Sequence, residues 1–99
     1  MMSDEQNQGL EIRWVGGECP VQGDGTIDGH VFYFRARWDS WRFEVAESDL
    51  DLDNDKLVWS IERPYGTGPY DAGRMSEQEA QAFIGEAAAA FREWRRTGR

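Results

Sequence analysis

Apolar and polar residues alternate with a period of two in several stretches of this chain, and the spacing changes to threes and fours over its last quarter. The first pattern marks half-buried strands and the second an amphipathic helix. Leu10, Ile12 and Trp14 alternate with Glu11 and Arg13, predicting a first strand with these three residues inward. A Gly-rich passage follows, then a short strand at Val21 and Gln22. Asp28-Gly29 favours the positive φ angles of a tight hairpin and leads into His30–Trp38. In that strand Phe32, Phe34, Ala36 and Trp38 share the core face, and Val31, Tyr33, Arg35 and Arg37 the other. Asp39-Ser40 then turns the chain into Trp41–Val45, and a last strand, Leu57–Glu62, turns Leu57, Trp59 and Ile61 inward.

Residues 63–75 carry too many Gly and Pro for regular structure and are expected to form a loop. Ser76 and Glu79 then have the spacing of a capping box, in which each side chain satisfies a backbone N–H at a helix start. Ala80, Phe83, Ile84, Ala87, Ala88, Phe91 and Trp94 form one helical stripe, with Arg92, Arg95 and Arg96 at its negative pole and Gly98 as its stop. The fold class is therefore α+β, an antiparallel sheet of four to five strands packed by one C-terminal amphipathic helix. Residues 1–9 are polar and without period, so they read as a disordered tail ahead of a single domain at 10–99.

Charge changes the picture. The 99 residues carry a formal net charge of −8. Direct nucleic-acid binding is disfavoured, because it relies on clustered Lys and Arg displacing counterions from phosphates. No apolar run approaches the ~20 residues that span a bilayer, so no membrane role is expected. The one cysteine, Cys19, has no partner for an internal disulfide, in keeping with the cytoplasm. Arg35, Arg37 and Arg42 are expected to pair locally with carboxylates on the outer sheet face.

Six carboxylates, Glu44, Glu47, Asp49, Asp51, Asp53 and Asp55, fall within twelve residues that hold no basic side chain. Three readings compete for this run. Asp51, Asp53, Asp55 and Glu62 occupy four positions of a calcium loop, but Lys56 replaces the glycine that pattern needs. Asp53-Asn54-Asp55-Lys56 also suits a hairpin turn inside a solvated acidic face. Finally, alternate residues on one strand face lie ~6.6 Å apart, near the ~7 Å spacing of nucleic-acid phosphates, so the run has the spacing of a phosphate mimic. Cys19, His30 and Asp28 lack an oxyanion-hole motif, and Gly23-Asp24-Gly25 reads as a turn rather than a phosphate loop. No enzyme, metal or cofactor is expected. Trp14, Trp59 and Trp94 fall on core faces, whereas Trp38 and Trp41, with Tyr65 and Tyr70, make a candidate exposed aromatic patch of the type enriched in binding surfaces.

The segments Trp14–Gln22, Gly25–Gly29 and Phe32–Arg37, with Pro64-Tyr65-Gly66 further on, resemble a family of small acidic proteins of bacteriophages and prophages. That resemblance implies an inhibitor of host defence, of which anti-CRISPR proteins are one kind, and transfers no site residue. The expected function is a non-enzymatic, phage-type inhibitor acting in the host cytoplasm. Its partner would be a basic nucleic-acid-binding protein or a CRISPR effector subunit. The binding residues would be Glu44, Glu47, Asp49, Asp51, Asp53 and Asp55, with Trp38, Trp41, Tyr65 and Tyr70. The alternative is a structural or interaction module whose acidity serves solubility only.

Overall fold

A computed structural model describes residues 9–97. Five strands, β1 (Leu10–Gly16), β2 (Val21–Ile27), β3 (His30–Arg37), β4 (Ser40–Ala46) and β5 (Trp59–Pro64), form one antiparallel sheet in chain order. A short helix α1 (Asp49–Asp53) lies between β4 and β5, a 3₁₀ turn spans Ala72–Arg74, and helix α2 (Glu77–Arg96) packs across one sheet face. The α+β architecture follows from the alternation in the strands and the stripe in the helix.

Phe32, Phe34, Trp41, Phe43 and Val45 meet Ala80, Ile84, Ala87, Ala88 and Phe91 between sheet and helix, all of them buried. Within the sheet layer Phe32 stacks on Phe43 at 4.9 Å, and Trp41 links the layers by reaching Phe83 of α2 at 5.3 Å. Each large aliphatic or aromatic side chain buried there stabilises the fold by about 1.5–3 kcal/mol. The helix start is built as expected, with Ser76 Oγ accepting from the Glu79 N–H at 3.0 Å and Glu79 Oε1 accepting from the Ser76 N–H at 3.0 Å. Replacing Ser76 with alanine is expected to cost about 0.5–2 kcal/mol, read as a lower midpoint in urea unfolding. Thr97 occupies the helix end, and the expected stop at Gly98 lies outside the described residues.

Five local expectations are corrected. Gly23-Asp24-Gly25 is the middle of β2 and not a turn. β1 bulges between Ile12 and Trp14, and the bulge presses its backbone onto β2, so a Cβ at Gly25 would collide with the Glu11 carbonyl oxygen and the Phe32 ring. The same bulge shifts Trp14 out of the inward set and leaves it 51% exposed. Arg37 pairs with Ser40, so the β3–β4 turn is Trp38-Asp39, one residue earlier than expected. Trp38 thereby leaves the core face and sits in that turn at φ 60°. β5 starts at Trp59, leaving Leu57 outside the strand. The Asp28-Gly29 hairpin forms as expected, at φ 50° and 87°.

Candidate interaction surfaces

The acidic run folds into a helix because its own residues cap it. Ser48 Oγ accepts from the Asp51 N–H at 3.2 Å, and Asp49 and Asp51 sit in the first turn, where the helix dipole favours negative charge. Asp55 then takes φ 60° and ends the helix. The hairpin turn expected at Asp53–Lys56 is therefore absent, and β4 and β5 are joined by residues 47–58. Ala46 points away from α2 by strand alternation yet is fully buried, because α1 folds back over β3 and β4 on that side.

This geometry revises the acidic surface. Residues two apart on a helix point about 200° away from each other, so a strand-like row of phosphate-spaced charges does not form. Glu47, Asp49, Asp53 and Asp55 are exposed, Asp51 is half-buried, and Leu50 stands out among them at 68% exposure. Their ionic contacts are long: Glu47 lies 3.8 Å from His30 Nε2 and Asp49 3.8 Å from Arg13, which also contacts Asp24 at 3.4 Å. Asp51, Asp53 and Asp55 have no basic partner among the described residues. Glu44 stands apart from this group. It lies on the open sheet face and accepts from Arg42 Nε at 2.6 Å, so its charge is locally compensated.

The calcium pattern does not assemble. Asp51 and Asp53 belong to α1, whereas Glu62 sits on β5 and accepts from Ser40 Oγ at 2.9 Å. Among the described residues no three His, Cys, Asp or Glu converge on a metal-sized site. Cys19 and His30 are also held apart, since Cys19 N donates to Gly73 O at one end of the sheet while His30 packs on Phe91 at the other.

The expected four-residue aromatic patch reduces to two residues. Trp41 is 2% exposed, its ring wedged against Phe34 and Phe83, because strand alternation carries it inward with Phe43 and Val45. Tyr65 is half-buried against Phe83 and donates its hydroxyl to Glu79 Oε1 at 2.9 Å, tying the 64–75 loop to the helix cap. That bond pushes the Tyr65 hydroxyl pKa up. The Glu79 carboxyl is held below its usual range, first by the Ser76 N–H and then by Tyr65. Trp38 and Tyr70 are exposed at 57% and 62% and line a common cleft with Cys19, Arg37 and Gly73. The acidic helix follows Ala46, which pairs with Val31, whereas Trp38 follows Arg37. The two surfaces are thus at opposite ends of β3, roughly 23 Å apart at the strand rise.

Of the three arginines expected to pair on the sheet face, Arg42 does so, with Glu44 and with Glu62 at 3.7 Å. Arg35 and Arg37 have no carboxylate partner among the described residues, and the Arg37 guanidinium lies 4.1 Å over the Trp38 ring. Two features had escaped the pattern of the chain: the outward Leu50 and the cleft at Trp38. The Ser48-x-x-Asp51 spacing was the available signal for the first.

A third cluster is structural. Asp28 in the β2–β3 turn accepts from Arg92 Nε at 2.9 Å and Nη2 at 3.1 Å, with Arg95 at 4.0 Å. The hydrogen bond from Arg92 holds the Asp28 carboxyl below its usual range against the opposing effect of burial, with help from the charges of Arg92, Arg95 and His30. A depressed folded-state pKa contributes stability that is complete above the unfolded value, about 3.9, and is lost as pH falls through the folded one. Asparagine tolerates the turn conformation, so Asp28→Asn keeps the backbone while removing the charge and one of the two acceptor oxygens facing Arg92. At neutral pH it is expected to cost no more than about 1 kcal/mol, and to flatten the fall in melting temperature below about pH 4.

No helix among the described residues is long and apolar enough to cross a membrane. No protein family, curated protein or solved structure matches the chain.

Proposed function

We propose that this chain is a non-enzymatic binding protein that presents α1 and the turn after it to the basic nucleic-acid groove of a partner protein. The carrying observation is the excess of charge on that element: five carboxylates between Glu47 and Asp55, two of them with ion contacts of 3.8 Å and three with none among the described residues. Such a surface raises the encounter rate with a positive groove, and Leu50 at its centre supplies an apolar contact once the two meet. The partner class follows from charge, since a groove built for phosphates is the strongest common match to a compact anionic knob. The likeness to small acidic phage proteins sets this activity inside a host bacterial cell, against a defence complex such as a CRISPR effector.

The test is affinity capture from a bacterial lysate with the tagged chain at low and high salt, followed by identification of the retained proteins. A nucleic-acid-handling protein held at low salt and released as the screening length shortens is the expected result. Capture that is indifferent to salt, or limited to proteins without a basic groove, overturns the reading.

A further inference from the structure

The end of the sheet opposite α1 carries a cleft of about 280 Å³ between Trp38 and Tyr70, floored by Cys19 and Gly73 and flanked by Arg37. This is room for an aliphatic side chain and not for a drug-sized ligand. Its walls are held in place. Trp38 adopts φ 60°, a conformation unfavourable for a bulky L-residue and one that glycine adopts freely. The Ala72 N–H donates to its carbonyl at 2.8 Å, and the Arg37 guanidinium covers one ring face. The exposed ring is therefore positioned by backbone and cation–π contact together, which lowers the cost of ordering it on binding.

Charge selects the occupant. In a chain with a net charge of −8, Arg35 and Arg37 still lack carboxylate partners among the described residues, and they lie on the same face of β3, leading to the cleft. The matching ligand is an anionic segment with an apolar anchor. Such a segment is present in α1: Leu50 is the one aliphatic side chain among the large exposed hydrophobics of the described residues, and Asp49 and Asp51 flank it. Cleft and helix of one molecule cannot meet, being roughly 23 Å apart along β3. The geometry points to head-to-tail self-association, in which the Trp38–Tyr70 cleft of one copy receives Leu50 of the next while Arg35 and Arg37 face the carboxylates beside it.

Two different patches form this contact, so it repeats and does not close at a dimer unless the rotation makes a ring. It is also small, in the class of weak and transient interfaces. Sedimentation velocity of the full chain, in a series rising to about 1 mM, is expected to show the mean mass climbing above the 11.4 kDa monomer. Trp38→Gly removes the cleft wall while relieving the backbone, and Leu50→Lys removes the anchor at an exposed position. Each variant alone is expected to stay monomeric with a melting temperature at or near that of the parent. An equimolar mixture is expected to form a 1:1 complex and stop there, because one variant retains the knob and the other the cleft. A parent that stays monomeric throughout, a single variant that associates like the parent, or a mixture that stays monomeric overturns the proposal. Trp38→Gly leaves every α1 carboxylate in place, so its capture of a basic partner tests the function proposed above independently of self-association.

Discussion

Trp41→Ala is expected to destabilise the protein by about 3–5 kcal/mol, the cost of deleting a large buried aromatic and leaving a cavity. The indole is 2% exposed and packs on Phe34 at 5.7 Å and on Phe83 of α2 at 5.3 Å, so its loss opens the sheet–helix layer from both sides. Domains of this size are stable by about 5–15 kcal/mol in all, so the variant gives up a large share of its margin. Urea unfolding followed by circular dichroism measures the effect, and a change below about 1 kcal/mol would show that Trp41 is not part of the core. The adjacent aromatic separates the two roles. Trp38→Gly removes an indole of equal size three residues earlier and is expected to leave stability unchanged or slightly raised, because Trp38 is exposed and sits at φ 60°.

The contrast between these two tryptophans shows what was legible in the chain. Alternation with Phe43 and Val45 carried the signal that Trp41 points inward, yet its place beside the turn put it in the expected exposed patch, whereas the helix could be read from its capping box and its stripe to within a residue of its start. What escaped was decided by contacts distant in sequence or by very short elements. Gly23 and Gly25 have the composition of a turn, yet they lie within β2, where Gly25 leaves room for the bulged β1 backbone. The bulge itself has no signature in Leu10–Gly16, and it reversed the face of Trp14. Helix α1 is too short for hydrophobic periodicity to register, so only its cap announced it. A one-residue shift in the β3–β4 turn then moved Trp38 from the core to the surface. The acidic run itself was visible. Its shape, and the separation of Glu44 and the aromatic residues from it, depended on those misplaced turns.

The largest effect on binding is expected from that run, and the structure indicates which carboxylates to change. A variant carrying Asp51→Asn, Asp53→Lys and Asp55→Asn shifts the local charge by four units and respects each backbone site. Position 51 becomes neutral, not positive, in the first turn of α1, lysine at 53 suits the negative end of the helix, and asparagine tolerates φ 60° at 55. None of the three has an ionic partner within the described fold, so the melting temperature is expected to stay close to that of the parent. Against the captured basic partner, the association rate is expected to fall by about 10–10³-fold at low salt, with the difference narrowing as salt rises. Glu44→Gln provides a control away from the helix, at one unit of charge. That carboxylate is already held by Arg42 at 2.6 Å, away from α1, so its removal is expected to leave the association rate unchanged. Effects in proportion to the charge removed, one unit against four, would mean that net charge alone governs binding, and no effect of either would remove α1 from the interface. A rate that falls only in the α1 variant places recognition on a capped helix of five residues, where a strand-like array of charges had been expected.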